Sequence, residues 1–122
     1  MRCELSQVPS IRADRERILQ VITNFLTNAA KYAPQSEEVV VRTEDLSDRI
    51  KVSVQDFGNG VPLDAQPHLF DRYYRTTDAA REDGFGLGLY ISSRIIEQHF
   101  GEIGVISVPG QGATFFFTLP YT

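Results

Sequence analysis

The chain has 122 residues, of which 42% are hydrophobic and 23% charged, values that indicate one folded domain and exclude a disordered chain. Its formal net charge of −4 argues against nucleic acid or an anionic membrane surface as the main partner. The single cysteine, Cys3, excludes an internal disulfide and suits a reducing compartment. The sequence has no run of 18 apolar residues and no signal-peptide pattern, so no segment is expected to span a membrane.

The first elements are predicted to be a short strand and a long helix. Residues 2–8 alternate loosely between the two faces of a strand. Apolar side chains then recur three and four positions apart over residues 15–32, which predicts an amphipathic helix. Asp14 is positioned to cap its N-terminus, and Pro34 cannot continue it because proline lacks the backbone N–H.

The middle of the chain is predicted to form two strands followed by irregular structure. Residues 38–43 and 49–55 are separated by a short polar stretch, which predicts an antiparallel hairpin. A short helical turn is expected at 67–70. Residues 71–86 have no apolar period, several charges and a glycine-rich end, which is typical of a mobile loop.

The last third is predicted to be a helix and two strands. Residues 87–100 return to helical spacing, with Gly101 as the expected C-terminal cap. Residues 102–108 and 113–119 are predicted to be strands joined by a Pro-Gly-Gln-Gly turn. The whole pattern predicts a single α/β sandwich, with its core between a mostly antiparallel sheet and one layer of helices.

Most glycines lie in three clusters between the regular elements, where they indicate a positive φ or a close backbone approach. The middle cluster (Gly84, Gly86 and Gly88) leads directly into a helix, whose free N–H groups and positive end are suited to phosphate. It lacks the Lys-Ser/Thr of a Walker A loop and the βαβ setting of a dinucleotide fingerprint, so a different nucleotide fold is implied. A hairpin turn is an equally good explanation of the last cluster. The clusters are Gly58 and Gly60; Gly84, Gly86 and Gly88; Gly110 and Gly112.

Asn24, Asn28 and Lys31 share one face of the first helix, because they are four and three residues apart. Asparagine is unfavourable inside helices, so two of them at this spacing need a reason. One interpretation is a solvated helix face. The other is a carboxamide oxygen offered to Mg²⁺, with Lys31 one turn on to meet phosphate charge.

Five segments together resemble the N, G1, F, G2 and third glycine boxes of sensor histidine kinases, in that family's order. They are residues 24–32 (NFLTNAAKY), 56–60 (DFGNG), 69–75 (LFDRYYR), 84–89 (GFGLGL) and 110–115 (GQGATF). The resemblance implies the Bergerat (GHKL) ATP-binding fold, an α/β two-layer sandwich with a mixed, mostly antiparallel sheet. It also implies that residues 1–122 are one catalytic ATP-binding domain, without the dimerisation domain that carries the phospho-acceptor histidine.

The resemblance implies ATP and Mg²⁺ as cofactors and assigns roles to individual residues. Asn28 would coordinate Mg²⁺ with Asn24 close by, and both would be catalytic together with Lys31. Asp56 would accept a hydrogen bond from the adenine amino group, which predicts a preference for ATP because guanine presents an acceptor there. Further ATP contacts are expected from Tyr32, Gly58, Gly60, Arg72, Arg75, Arg81, Gly84, Gly86, Leu87, Gly88 and Thr114.

The residue at position 24 favours phosphotransfer over hydrolysis. Similar hydrolases of the gyrase and MutL type carry a glutamate four residues before the Mg²⁺-binding asparagine. Here that residue is Asn24, and a carboxamide is a far weaker proton acceptor than a carboxylate. His68 and His99 lack the setting of a phospho-acceptor box, so both are expected to be structural or surface residues.

The nucleophile is therefore expected to be a histidine on the dimerisation domain of the same kinase, with a response regulator downstream. The expected location is the cytoplasm, and any membrane anchor of a longer protein would lie outside this chain. The alternatives are a regulatory pseudokinase module that binds ATP without transferring phosphate, a GHKL-type ATPase, and a pure interaction domain.

Overall fold

The structure is a computed structural model that describes residues 2–5, 13–32, 38–71 and 88–121, with only the backbone described at 31 and 32. Within these ranges the chain forms five strands, two α-helices and one short 3₁₀ helix at Gln66–His68. The elements are β1 (Arg2–Leu5), α1 (Arg15–Tyr32), β2 (Val39–Asp45), β3 (Arg49–Asp56), α2 (Gly88–Gln98), β4 (Glu102–Ser107) and β5 (Ala113–Pro120).

The five strands form one mixed sheet in the order β1-β2-β3-β5-β4. β1 runs parallel to β2, and every other neighbouring pair is antiparallel. The predicted hairpins β2–β3 and β4–β5 are both present. The predicted mostly antiparallel sheet is therefore confirmed, and the parallel β1 edge makes it mixed.

The two helices cover one face of the sheet, as the sequence predicts. Phe25 of α1 is fully buried and packs on Phe115 and Phe117 of β5, with ring centroids 5.6 and 6.1 Å apart. Phe116 points to the other face, where its ring lies 4.7 Å from the Lys51 Nζ. The three consecutive phenylalanines are thus shared between core and outer face, because strand side chains alternate.

The helices α1 and α2 run antiparallel, because contacts join opposite ends of each. At one end the backbone N–H of Asp14, just before α1, donates to His99 Nε2, just after α2, at 3.1 Å. Further along α1, Asn24 Nδ2 donates to the carbonyl of Gly88, the first residue of α2, at 3.0 Å. Asp14 is also the predicted N-cap, since its Oδ1 accepts the N–H of Arg17 at 3.3 Å.

The C-terminus of α2 differs from the prediction. The left-handed residue is Phe100, with φ 63°, and not Gly101. Phe100 N–H donates to Glu97 O and Gly101 N–H to Ile96 O, both at 3.0 Å, which is the Schellman pattern. Glycine at 101 has another cause: an added Cβ would lie 1.9 Å from Thr118 O of β5, so only glycine permits this close approach.

Several predicted boundaries shift by a residue or extend outside the described residues. The expected helical turn at 67–70 is the 3₁₀ helix, which begins one residue earlier. Residues 6–8 of the first predicted strand, Pro34, and residues 72–86 of the predicted loop lie outside the described residues. Within the described ranges, neither helix is both long enough and apolar enough to cross a bilayer.

Candidate functional site

The packing brings residues from distant parts of the sequence to one end of the sandwich. The C-terminus of α2 lies beside Thr118, because Gly101 approaches its carbonyl, and Thr118 is near the end of β5. α2 has eleven residues and so spans about 16 Å, which carries its N-terminus toward the opposite end. Asp56 and Ala113 lie at that opposite end of β3 and β5, and the antiparallel α1 brings its C-terminal half there too.

Asp56 ends β3 with its carboxylate turned into the protein. The residue is 2% exposed. Oδ1 accepts the N–H of Gly58 at 3.0 Å and the N–H of Ala113 at 3.3 Å. Oδ2 is buried and has no hydrogen-bond partner in the described part of the chain. One half of the carboxylate is thus fixed by the backbone, and the other half lacks a donor.

The electrostatics of Asp56 follow from this placement. Burial raises the pKa of the Asp56 carboxyl above its ordinary value, and the N–H groups of Gly58 and Ala113 oppose that rise. A buried acceptor without a partner is unfavourable by about 1–3 kcal/mol, and by more when it is charged. The site can therefore gain free energy by binding a molecule that places a donor on Oδ2.

Asn28 lies on α1 with its amide oriented by its own helix. It is 8% exposed, and its Nδ2 donates to the carbonyl of Asn24 at 3.0 Å. This bond turns Oδ1 away from the helix backbone and leaves it available as a ligand oxygen. The interpretation of a solvated helix face is wrong for Asn28, because the residue is buried. Amide oxygens are among the ligands that Mg²⁺ accepts, so this residue fits the expected ion.

Asn24 makes side-chain contacts of a different kind. Its Nδ2 donates to Gly88 O and to Ser92 Oγ, both at 3.0 Å. Ser92 Oγ in turn donates to Gly88 O at 2.9 Å. Ser92 could not be predicted from the sequence, because residue type does not show that this buried serine accepts a bond from Asn24 in addition to its own bond to Gly88 O within α2.

The loop after Asp56 is shaped by contacts within the chain. Gly60 has φ 76°, and a Cβ there would lie 2.8 Å from both Ser107 Oγ and Val108 O. Ser107 Oγ also accepts the N–H of Val61 at 2.8 Å. The close approach that requires glycine at 60 is therefore to the end of β4.

The turn between β4 and β5 has its own glycine requirement. Gly110 and Gly112 have φ of 87° and 90°, so the hairpin-turn interpretation of this cluster is confirmed. A Cβ on Gly112 would also lie 2.3 Å from Asp56 O, so glycine lets the turn close on β3. The Ala113 N–H that reaches Asp56 could not be predicted from the sequence, because a backbone donor leaves no mark on residue type.

Thr114, an expected ATP contact, lies on β5 next to Ala113. It pairs with Gln55 of β3 and Ile106 of β4, whereas Asp56 faces the helix layer. Because neighbouring residues of a strand point to opposite faces, the Thr114 side chain is on the outer face of the sheet. It lines a shallow cavity of about 150 Å³ there, together with Gln55 and Ile106. The sheet thus separates the Thr114 side chain from that of Asp56, and the expected ATP contact of Thr114 stays a prediction.

The remaining expected site residues fall at or beyond the limits of the described chain. Gly88 is the first residue of α2. Lys31 and Tyr32 are the last two residues of α1, and the structure describes only their backbone. The other expected residues lie outside the described residues: Arg72, Arg75, Arg81, Gly84, Gly86 and Leu87. Among His, Cys, Asp and Glu side chains within the described ranges, no group of three could hold a metal ion.

Both histidines have structural partners, as the sequence analysis predicts. His68 Nδ1 lies 3.0 Å from Asp71 Oδ2 on the surface. His99 uses both ring nitrogens, since Nδ1 lies 2.8 Å from Ile95 O and Nε2 accepts from Asp14 N–H.

Residues 13–122 match the family described as histidine kinase-, DNA gyrase B-, and HSP90-like ATPase. The chain is 42% identical over 114 residues to the adaptive-response sensory kinase SasA of Crocosphaera subtropica, covering 93% of this chain and 30% of that protein. It is 37% identical over 114 residues to SasA of Synechococcus elongatus, again covering 93% of this chain and 30% of the relative. The chain thus spans less than a third of these kinases.

Solved structures agree with the sequence comparison. Full-length ShkA in complex with AMPPNP superposes with a TM-score of 0.82 at 34% identity, covering 99% of this chain and 26% of that chain. The nucleotide-free catalytic domain of histidine kinase ThkA gives a TM-score of 0.81 at 30% identity, covering 98% of this chain and 78% of that chain. These likenesses confirm the expected GHKL fold. The chain belongs to the histidine kinase-, gyrase B- and HSP90-like ATPase family, as the ATP-binding domain of a sensor histidine kinase.

Proposed function

We propose that this domain binds Mg-ATP and donates the γ-phosphoryl group to a histidine on a separate dimerisation domain of the same kinase. The observation that carries the proposal is the Asp56 carboxylate, which is buried with Oδ1 fixed by two backbone donors and Oδ2 without one. Membership of the kinase family supports the same chemistry.

Asp56 is proposed to read the base. The amino group of adenine is a donor that satisfies Oδ2, whereas guanine presents a carbonyl oxygen at the same place. Two acceptors would then face each other in a buried site, which disfavours GTP. The bound AMPPNP of the ShkA structure, an adenine nucleotide analogue, supports this choice of base.

Asn28 is proposed to bind the metal–phosphate end of the nucleotide. Its Oδ1 has no other hydrogen-bond partner among the described residues, and its Nδ2 is held by Asn24 O. Mg²⁺ bound there would neutralise phosphate charge. Lys31, Arg72 and Arg75 would add positive charge, and further contacts are proposed for Tyr32, Gly58, Gly60, Gly84, Gly86, Leu87 and Gly88.

Phosphoryl transfer needs positioning and charge neutralisation more than covalent chemistry from the protein. A ring nitrogen of the partner histidine attacks the γ-phosphorus, the bond to the β–γ bridging oxygen breaks, and ADP leaves. Neither histidine is proposed as the acceptor: His99 holds two helix ends together, and His68 pairs with Asp71 on the surface. The phosphoryl group would pass on to a response regulator in the cytoplasm, and the free Cys3 fits that compartment.

Labelled ATP tests the proposal directly. The domain is mixed with its histidine-bearing dimerisation domain, Mg²⁺ and ATP labelled in the γ-phosphate. Label on the partner histidine supports the kinase. Tight nucleotide binding without label would instead indicate a regulatory pseudokinase, and release of labelled phosphate alone would indicate an ATPase.

Asn28→Ala tests the metal–phosphate end. We expect Mg²⁺-dependent nucleotide affinity to fall at least tenfold in calorimetry, because the ligand oxygen is removed, while the fold survives. Thr27→Ala is the matched control, since Thr27 directly precedes Asn28 on α1, is exposed, and its hydroxyl donates to Thr23 O within the helix. Unchanged Mg²⁺ dependence in Asn28→Ala would remove this residue from the site.

A further inference from the structure

Asn24 is joined to α2 by a closed set of three hydrogen bonds. Its two amide hydrogens reach Gly88 O and Ser92 Oγ, and the Ser92 hydroxyl donates to the same Gly88 carbonyl. Ser92 is fully buried. Both amide hydrogens of Asn24 and the hydroxyl hydrogen of Ser92 are therefore engaged in hydrogen bonds. All three bonds meet at the first turn of α2.

Asn24 is also joined to Asn28. The backbone carbonyl of Asn24 accepts the Nδ2 of Asn28, which orients the Oδ1 proposed to bind the metal. One residue thus contacts the first turn of α2 through its side chain and the Asn28 amide through its backbone. Any shift of α2 along α1 would have to break the side-chain contacts of Asn24.

We propose that Asn24 is a positioning residue, whose carboxamide fixes the first turn of α2 at a set distance from Asn28 and does not itself touch the reacting atoms. The proposal deepens the proposed function and rests on it, because the position matters only if the phosphates lie between Asn28 and the start of α2. It replaces the direct catalytic role that the resemblance implies for Asn24.

Asn24→Asp tests the proposal, because a general base and a positioning residue predict opposite changes in the rate of phosphotransfer. A carboxylate there would be a better proton acceptor than the amide, so Asn24→Asp would speed the reaction if this residue were a base. The same change removes the donor and sets a carboxylate oxygen against the Gly88 carbonyl, an acceptor facing an acceptor. A positioning residue therefore predicts slower phosphotransfer in Asn24→Asp at nearly unchanged side-chain volume.

The experiment measures two affinities for each variant: that of a non-hydrolysable ATP analogue with Mg²⁺ and that of adenosine. We expect Asn24→Asp to weaken the analogue about tenfold and to leave adenosine within twofold, because adenosine uses only the Asp56 end. A general loss of structure would weaken both ligands together. The ratio of the two affinities therefore separates positioning from stability.

Ser92→Ala supplies a milder variant in case Asn24→Asp does not fold. It removes one acceptor of the Asn24 amide, and we expect the analogue to bind about threefold more weakly. In the Asn24→Ala, Ser92→Ala double variant the combined loss should be smaller than the product of the single losses, because both act through one set of bonds. Ser93→Ala is the matched control, since Ser93 is the adjacent, buried serine and bonds to Tyr90 O within α2.

Two failures are distinguishable. If the wild-type domain does not bind the analogue with Mg²⁺, the proposed function itself is wrong. If the wild type and Ser93→Ala bind it but Asn24→Asp binds equally well, or transfers phosphate faster, the positioning role of Asn24 is wrong and the proposed function stands.

Discussion

The Asp56 carboxylate is proposed to bind adenine, and its burial makes the nucleotide-free domain less stable. Its carboxylate is buried, one oxygen has no donor, and burial raises the pKa of the group. Between the unfolded and folded pKa values the native state binds more protons than the unfolded state, so the free energy of unfolding falls as pH rises. The loss begins near the ordinary pKa of 3.8 and is complete above the raised native pKa.

Asp56→Asn should therefore stabilise the nucleotide-free domain. At pH 7 we expect the free energy of unfolding to rise by about 1–3 kcal/mol, because a neutral amide replaces a buried charge and can still accept from Gly58 and Ala113. The difference should vanish well below pH 3.8, where the aspartate is neutral in both states. ATP binding should be lost, because an amide N–H would face the adenine amino group.

Urea unfolding at several pH values, with calorimetry for ATP, measures both effects. Asp64→Asn is the control for loss of one negative charge at an exposed position. A variant that is less stable than wild type at pH 7 would contradict the account of Asp56 as an unfavourable buried charge.

A functional residue can be predicted from the sequence only where its function depends on its side-chain type. Asp56 and Asn28 stand out because a carboxylate and an amide at those places have few structural uses, and both are buried. Ala113 contributes through its backbone N–H, which any residue but proline offers. The face on which the Thr114 side chain lies could not be predicted, since only the strand register shows which way it points.

At the scale of the elements, α1 is the best-predicted segment. Its observed bounds, Arg15–Tyr32, are the predicted ones, because the capping Asp14 gives a local signal for its start. The end of α2 was predicted less well. Glycine after a helix normally indicates the left-handed residue, but Gly101 serves the close approach to β5 and Phe100 adopts the left-handed conformation.

Phe100→Gly is expected to stabilise the domain. A residue with a Cβ in the left-handed region is strained by about 1 kcal/mol or more, and glycine removes that strain. Phe100 is 88% exposed, so little packing is lost with its ring. We expect the free energy of unfolding to rise by about 1 kcal/mol, measured by chemical denaturation.

Phe100→Ala separates strain from side-chain loss. Alanine removes the exposed ring but keeps a Cβ at φ 63°, so its stability should stay below that of Phe100→Gly. Equal stability of the two variants would show that the backbone at 100 relaxes and that strain does not limit this helix end.

At the scale of the whole molecule, the site depends on how the helix layer sits on the sheet. Asn28 is carried by α1 and Asp56 by β3, so their spacing is set by the core between them. The sequence predicts both layers from periodicity, but the relative placement of the layers comes from long-range packing. The contacts of His99 with Asp14 and of Asn24 with Gly88 show the antiparallel arrangement that no local pattern encodes.

Phe25 is the side chain through which this placement is best tested. It is fully buried and packs on Phe115 and Phe117, so it joins α1 to β5. Phe25→Ala should lower the free energy of unfolding by about 3–5 kcal/mol, a large share of the total for one domain. Saturation with a non-hydrolysable ATP analogue and Mg²⁺ at about 100 times its Kd should restore about 2.7 kcal/mol.

Thermal unfolding with and without the analogue measures this recovery, and Leu19→Ala at an exposed position of the same helix serves as control. Because the ligand binds only the native arrangement of α1 and the sheet, recovery requires that both ends of the site re-form together. Failure of the analogue to stabilise Phe25→Ala while it stabilises wild type would show that the layers no longer return to the native spacing.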